Sequence, residues 1–303
     1  MKHTKSYRLA LIGFGATGRG LTQILRDGAN WLHTRHGLDV RIVGVCTRSR
    51  GCVYDPNGIA PATLLEAFEQ HGDLRRLPGA VDWDAAGFAA NAEADILVEL
   101  SPTDLQTGEP AASYIRTALQ RGRHVVTANK GPVALHYAEL AQLARDNNVQ
   151  FGIEGTVMAG TPALRLGWSD LAAGPISEVR GIVNGTTNYI LTQMESGQSY
   201  AEALAEAQRL GYAEADPAGD VEGFDAAGKA AILANVLMNG TLRPGDVERT
   251  GITGITPAMV AEAAAAGRRW KLIARAWRDG EQVRASVQPT ALPVSHPLAG
   301  VSG

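Results

Sequence analysis

Short apolar stretches alternate with longer amphipathic ones along the first half of the chain. The short stretches are rich in β-branched residues and apolar on both faces, which is typical of buried parallel strands. The longer ones place apolar residues at helical spacing. Predicted strands cover residues 8–15, 40–46, 94–100, 124–128 and 149–155, and predicted helices cover 17–32, 61–72, 109–122 and 138–148, with a polar insertion before residue 61. This alternation predicts an α/β fold with a doubly wound parallel sheet.

The pattern changes after about residue 155, where glycine, threonine and alanine dominate. Residues 178–194 read as a strand, a sharp turn and a helix, and further helices are expected at 201–211 and 225–238. Strands at 270–277 and 281–288 are joined by Asp279-Gly280, a hairpin signal. We therefore expect two domains, because 303 residues exceed what one core usually holds. The expected boundaries are 1–153 for the first domain and 154–290 for an α+β second domain, with 291–303 starting a return to the first.

Composition narrows the classes of partner. A net charge of -3 and a pI near 6.2 give no reason to expect nucleic acid or an anionic membrane, and no apolar run is long enough to span a bilayer. Cys46 and Cys52 cannot make a disulfide framework in a chain of this size, which favours a reducing cytoplasm. The histidines are scattered and no Cys/His pairs have ligand spacing, so no zinc site is expected.

A glycine-rich turn follows the first predicted strand. Gly13, Phe14, Gly15, Ala16, Thr17 and Gly18 fit the pattern G-x-G-x-x-G at the start of a helix. Such glycines permit a tight turn and let the backbone approach a pyrophosphate at the helix N-terminus. Glycine is common in this chain, but the strand–turn–helix context favours a dinucleotide site and a Rossmann-type domain.

The end of the second strand bears on the choice between NADP and NAD. An acid there would bind the ribose 2′-hydroxyl, whereas this strand runs into Thr47-Arg48-Ser49-Arg50. Arginine suits a phosphate, so Arg48 favours NADP, with NAD possible. The alternative interpretation is a solvated basic loop.

Two later strands end in loops that belong to the ligand edge of such a sheet. One leaves at Ser101-Pro102, and the other leaves at Asn129-Lys130-Gly131-Pro132. Ser101 and Lys130 are therefore placed to meet the nicotinamide or a substrate. The alternative for Lys130 is an exposed turn cation.

An acidic segment at 211–229 ends on a lysine inside an apolar helix. Asp225 and Lys229 are four residues apart and share a helix face, and the residues around them are almost all apolar. A buried lysine is either paired or functional, because burying an unpaired charge is costly. The alternatives are a solvated acidic loop and a structural ion pair, and the order of acids does not fit an EF-hand.

Four motifs in order resemble homoserine dehydrogenase over essentially the whole chain: the glycine turn, TANKGP (127–132), NGTTNYIL (184–191) and the segment 211–229. The resemblance implies reduction of aspartate semialdehyde to homoserine with NAD(P)H, in threonine and methionine biosynthesis. It implies catalytic roles for Lys229, Lys130 and Asp225. It implies substrate contacts for Glu214, Asp220, Asp225, Gly185 and Thr186, and cofactor contacts for Lys130, Gly211 and Glu214.

The same resemblance extends to an ion and to assembly. Residues 154–162 resemble a monovalent-cation loop, in which main-chain oxygens of Glu154, Val157, Ala159 and Thr161 would hold sodium or potassium; an ordinary glycine-rich connection is the alternative. A homodimer through the second domain's sheet is also implied. Members of the family normally continue beyond the point matching SHPLAGVSG, with a strand and a helix that contact the cofactor, and feedback through an ACT-type domain is not expected here.

Two other functions compete with this hypothesis. One is a different two-domain amino-acid dehydrogenase, acting on diaminopimelate or saccharopine, against which NGTTNYIL and the 211–229 segment argue. The other is a catalytically inactive nucleotide-binding sensor. The presence of Lys130, Glu214, Asp225 and Lys229 argues against it, because a sensor needs no proton-transfer set.

Overall fold

The computed structural model describes residues 4–302. The chain divides into two compact units, the first ending at Ala159 and the second beginning at Gly160. The first unit contains strands β1 (Lys5–Ile12), β2 (Leu38–Thr47), β3 (Gly51–Ile59), β4 (Ala80–Val81), β5 (Ile96–Glu99), β6 (His124–Thr127) and β7 (Phe151–Gly152). Its helices are α1 (Ala16–Trp31), α2 (Pro61–His71), α3 (Ala85–Asn91), α4 (Ala111–Gln120), α5 (Lys130–Asp146) and α6 (Gly155–Met158).

The strands of the first unit form one sheet in the order β4-β3-β2-β1-β5-β6-β7. Strands β2, β1, β5, β6 and β7 are parallel, which confirms the predicted doubly wound sheet. The chain passes from β1 to β2 on one side and later returns to β5 on the other side of β1. The strand order therefore reverses between β1 and β5, where dinucleotides bind in such folds.

Alternate residues of the central strand β1 enter two separate cores. Leu9 and Leu11 belong to one apolar cluster, and Ala10 and Ile12 belong to another. Because successive strand side chains point to opposite faces, the sheet is covered on both sides. This explains why the parallel strands are apolar throughout rather than alternating.

Several features of the first unit differ from the prediction, among them β4 and α3, where no element was expected. The expected polar insertion is largely an antiparallel strand, β3, paired with β2. That strand brings Cys52 directly opposite Cys46, and the two form a disulfide. The pairing was not predicted, because no strand was expected at Cys52. The strand expected at 149–155 is reduced to Phe151–Gly152 and is followed by the single turn α6.

The second unit contains β8 (Glu178–Gly181), β9 (Glu248–Arg249), β10 (Arg268–Asp279) and β11 (Gln282–Pro293). Its helices are α7 (Ala163–Arg165), α8 (Gly185–Glu195), α9 (Tyr200–Arg209), α10 (Ala218–Val221), α11 (Phe224–Met238) and α12 (Pro257–Ala265). The sheet order is β8-β10-β11-β9, with the predicted hairpin turning at Gly280, whose φ is 62°. Helix α11 packs on β10 and β11, while the short α10 and the helix α12 were not predicted.

Among the helices of residues 4–302, none combines the length and the apolar character needed to cross a membrane.

Candidate active site

The glycine turn of the first unit has one glycine for each of three spatial demands. Gly13 has a φ of 98°, and a Cβ on it would lie 2.3 Å from the Leu100 carbonyl oxygen. A Cβ on Gly18 would lie 2.8 Å from the Gly13 carbonyl oxygen, so this glycine permits close packing of helix and turn. A Cβ on Gly15 would meet no atom within 4 Å. The absence of a side chain there leaves open the approach to the start of α1.

Helix α1 begins without a side-chain cap at Gly15. Its first backbone N–H groups therefore keep their hydrogen-bonding capacity for a ligand, and the helix dipole adds partial positive charge. Phe14 is buried, whereas Ala16 and Thr17 are exposed at this opening. An uncapped helix start behind an open glycine fits the pyrophosphate of a dinucleotide.

Arg48 lies on the exposed turn between β2 and β3. The neighbouring Arg50 stacks on Phe68, with its guanidinium carbon 4.3 Å from the ring centroid, and Arg19 lies 4.8 Å from the same centroid. Within residues 4–302, no ion pair with an acid is recorded for these three arginines. The turn is thus electropositive, as the proposal of a phosphate contact requires.

The ends of β5 and β6 are tied together by buried polar groups. Glu99 Oε1 accepts hydrogen bonds from Ser101 N at 2.8 Å and Ser101 Oγ at 2.5 Å, and Oε2 accepts from Thr127 Oγ1 at 2.9 Å. Asn129 N donates to Thr127 Oγ1 at 2.9 Å, and the Asn129 amide donates to the Ser101 carbonyl at 3.1 Å. Burial raises the pKa of Glu99, while the hydrogen bonds oppose that rise.

Lys130 is the first residue of α5 rather than part of a free turn. Asn129 is the N-cap, with its Oδ1 accepting from Gly131 N at 3.1 Å. The segment TANKGP was predicted to be a loop. Instead, a helix starts within it at Lys130, with Asn129 as its cap and Pro132 in its first turn. Lys130 is half-buried at this helix start.

In the second unit, the structure brings Lys229 together with Asp225. Lys229 Nζ lies 2.6 Å from Asp225 Oδ2 and donates to the Val183 carbonyl at 2.7 Å. Both side chains are mostly buried, at 16% and 17% exposure. An ammonium has three N–H donors, and these two contacts orient it at the start of α11. The structural ion pair, one of the alternatives open from the sequence, is therefore present, and the Val183 carbonyl also holds the ammonium.

Asn184 joins these groups to Asp220. Its amide nitrogen donates to Asp220 Oδ1 at 2.7 Å and to Asp225 Oδ2 at 3.0 Å. Its Oδ1 accepts from Thr187 N at 2.9 Å and caps α8, whose first residue is Gly185. Gly185 and Thr186 were predicted as site residues but Asn184 was not, although an asparagine directly before a helix start is a cap signal.

The other predicted residues are only partly brought to this cluster. Thr186 Oγ1 donates to the Tyr212 carbonyl at 2.7 Å, so the segment containing Gly211 lies against α8. Gly211 has a φ of 78°, and Glu214 is exposed. In the part of the chain that the structure describes, no contact joins the Glu214 carboxylate to Lys229. The five acids of 211–229 thus divide into two half-buried residues, Asp220 and Asp225, and three exposed ones, Glu214, Asp216 and Glu222.

The predicted cation loop begins in the first unit and ends in the second. Its middle is the helical turn α6, and Ala159 follows with a φ of 48°. Glu154 and Val157 precede it, and the Thr161 carbonyl accepts from Ala163 N at 2.8 Å. Across residues 4–302, no group of three or more His, Cys, Asp or Glu side chains is arranged to hold a metal ion.

A chain that combines a Rossmann-type unit with an open glycine turn and a second unit with a lysine–aspartate pair has the features of an NAD(P)-dependent oxidoreductase. The family model described as homoserine dehydrogenase matches residues 162–303, and the model of its NAD-binding domain matches residues 13–154. The chain belongs to the homoserine dehydrogenase family, whose members act on a CH–OH group.

Relatives agree with this assignment over nearly the whole chain. An NAD(+)-dependent homoserine dehydrogenase of Pseudomonas canavaninivorans is 45% identical, with 98% of this chain and 85% of the relative covered. A crystal structure assigned to homoserine dehydrogenase of Archaeoglobus fulgidus has a TM-score of 0.87 at 37% identity, covering 98% and 87%. A hyperthermophilic archaeal homoserine dehydrogenase in complex with NADPH has a TM-score of 0.82 at 29% identity, covering 99% and 86%.

Proposed function

We propose that this chain interconverts L-homoserine and L-aspartate 4-semialdehyde with NADP(H), using Lys229 for proton transfer. The observation that carries the proposal is the Lys229 ammonium, held between Asp225 and the Val183 carbonyl. Hydride transfer to an aldehyde develops negative charge on oxygen, and a fixed ammonium stabilises and protonates that oxygen. In the oxidative direction, the neutral amine would accept the hydroxyl proton. The bound nicotinamide would supply or accept the hydride.

The other residues are proposed to bind the ends of an amino-acid zwitterion. Asp220 and Glu214 carry carboxylates suited to the substrate ammonium, and the N–H groups of Gly185 and Thr186 at the start of α8 suit its carboxylate. Lys130 is proposed to contact substrate or cofactor from the start of α5. Gly211 and Ser101 are proposed to contact the cofactor.

The cofactor proposal favours NADP because Arg48 follows β2 where an acid would select NAD. The Pseudomonas relative is named for NAD(+), and the archaeal structure contains NADPH, so both nicotinamides occur among similar proteins. Main-chain oxygens of Glu154, Val157, Ala159 and Thr161 are proposed to bind sodium or potassium. We also propose a cytoplasmic homodimer formed through the sheet of the second unit, which light scattering on the purified chain would test.

The first experiment is homoserine-dependent reduction of NADP and of NAD, with and without potassium, on the purified chain. Lys229→Ala should lower kcat by at least about 100-fold, a typical contribution of a proton-transfer group, while cofactor binding stays nearly unchanged. Lys271→Met is the matched control, because Lys271 is also a buried lysine of the second unit, 1% exposed and 3.7 Å from Glu195. It should keep its kcat. Loss of both turnover and cofactor binding in Lys229→Ala would instead indicate a structural lysine.

A further inference from the structure

Glu99 is a buried carboxylate that the proposed reaction does not use. Its side chain is 0% exposed at the carboxyl end of β5, beside the end of β6. At least one of its hydrogen bonds comes from a group that can only donate, the Ser101 backbone N–H. Together with the Ser101 and Thr127 hydroxyls, this N–H stabilises the ionised form of the carboxylate and opposes the rise in pKa that burial causes.

No cation neutralises that carboxylate within residues 4–302. Glu99 forms no ion pair in this part of the chain, and its hydrogen-bond partners are neutral hydroxyl, amide and backbone groups. A buried charge that is hydrogen-bonded but lacks a counter-charge remains costly. A cationic group arriving at this edge of the sheet would therefore be stabilised.

The nicotinamide is such a group in only one of its redox states. In a doubly wound sheet, the ligand lies beyond the carboxyl ends of the strands, and the adenosine half lies on the β2 side of the reversal point. The nicotinamide half then falls toward β5 and β6. The oxidised ring carries a positive charge, whereas the reduced ring is neutral.

The same network fixes the residues that would surround the ring. Ser101 has its N–H and hydroxyl on Glu99 and its carbonyl on Asn129, so all three of its polar groups are held. Asn129 in turn caps α5 and so fixes the position of Lys130, the first residue of that helix. A change at Glu99 would thus be transmitted to both strand-end segments.

We propose that Glu99 is a positioning residue and the buried counter-charge of the nicotinamide site, so that it favours binding of oxidised over reduced cofactor. This inference rests on the proposed function for the presence of a nicotinamide. It applies equally to NADP(H) and NAD(H), because the charge difference lies in the ring.

Isothermal titration calorimetry of the full chain, without substrate, tests the proposal. Wild type and Glu99→Gln are titrated with NADP and NADPH, and with NAD and NADH. Glu99→Gln keeps the size of the side chain and removes its charge. The Kd of the oxidised cofactor should rise about tenfold, roughly the effect of one partly screened charge contact, and the Kd of the reduced cofactor should change less than about twofold.

Glu93→Gln is the matched control, since it removes the same charge from an exposed residue just before β5, at the opposite edge of the sheet. All four of its Kd values should equal those of wild type. Equal weakening of both redox forms in Glu99→Gln would overturn the counter-charge and leave only packing. Failure of wild type to bind any of the four cofactors would overturn the proposed function as well, so the two failures are distinguishable.

Thr127→Val keeps the proposal falsifiable if Glu99→Gln does not fold. This variant retains the charge and removes one hydrogen bond to it. Both redox forms should bind more weakly by a similar factor, so that the ratio of their Kd values stays within about twofold of wild type. A ratio that changes with the charge still in place would contradict the inference.

Discussion

Asn184 makes two separable sets of contacts, one that caps a helix and one to the acids of the proposed substrate site. Its Oδ1 caps α8, and its amide nitrogen donates to Asp220 and Asp225. Serine also caps helices well, but it has no side-chain amide that could donate to both acids. Asn184→Ser should therefore keep stability within about 0.5 kcal/mol while raising the KM for homoserine about tenfold, because two carboxylates lose a shared donor.

Asn184→Ala is the companion variant for that prediction. It lacks the cap as well, so its free energy of unfolding should be lower by a further amount of about 0.5–2 kcal/mol. Urea titration and steady-state kinetics measure the two effects. An Asn184→Ser enzyme with an unchanged KM would show that the residue is only a cap.

Arg48 carries the prediction on cofactor choice. Arg48→Ala should raise the KM for NADPH about tenfold or more and leave that for NADH nearly unchanged, since only the former has a 2′-phosphate. Arg41→Ala is a suitable control because Arg41 is exposed on the same strand, β2, away from the turn. An equal effect of Arg48→Ala on both cofactors would remove the phosphate assignment.

Among single residues, contacts within one element could be predicted from the sequence, whereas contacts between residues far apart in the sequence could not. The Asp225–Lys229 pair follows from a separation of four residues on one helix. Asn184 meets Asp220 and Asp225 across 36 and 41 residues, which depends on how α8, α10 and α11 pack. Glu99 lies in a strand that is otherwise apolar, and its hydrogen bond from Thr127 depends on the pairing of β5 with β6, which the sequence does not show.

At the scale of elements, the β1–turn–α1 segment makes a paired prediction. Gly13→Ala should destabilise the first unit by at least about 2 kcal/mol, because a φ of 98° is strained for alanine and its Cβ would overlap the Leu100 carbonyl. Gly15→Ala should fold normally, since its φ is -76° and the added carbon meets nothing. It should nonetheless weaken cofactor binding by filling the approach to α1.

Thermal unfolding and calorimetric titration of the two variants check that contrast. A Gly15→Ala chain that binds cofactor like wild type would place the pyrophosphate elsewhere.

The strand–turn–helix itself could be predicted because its glycine spacing and apolar strand are local signals. Strand β3 could not, since a proline and several polar residues within Gly51–Ile59 conceal an antiparallel extension of the sheet. Helix α12 is alanine-rich, and its uniform sequence gives no apolar period.

At the scale of the whole molecule, the proposed function assigns cofactor binding to the first unit and proton transfer to the second. The first has the open glycine turn and the strand-end network, and the second has the lysine–aspartate pair with its asparagine. The order of the motifs along the chain predicted this division and the family. The polar network of the first unit was not predicted, although it places an ionisable group in the core and so couples stability to pH.

That coupling has a definite sign for Glu99. Burial raises its pKa above the ordinary 4.5, so between these values the folded state binds the proton more tightly than the unfolded state. The stability of wild type should therefore fall as the pH rises from about 4.5 through the raised pKa, whereas Glu99→Gln lacks this contribution. The free energy of unfolding of wild type minus that of Glu99→Gln should decrease with pH and then level off.

Hydrogen exchange of the β5 and β6 amides, measured from about pH 5 to about pH 8 and corrected for intrinsic exchange, reports this difference for the first unit alone. The restriction matters because a chain of two units need not unfold in one step. Glu93→Gln, which changes the same charge at an exposed position, serves as the control for the general effect of net charge. A difference that stays flat or rises with pH would mean that the Glu99 carboxylate is stabilised by its hydrogen bonds more than burial penalises it, and the oxidised nicotinamide would then have little uncompensated charge to neutralise.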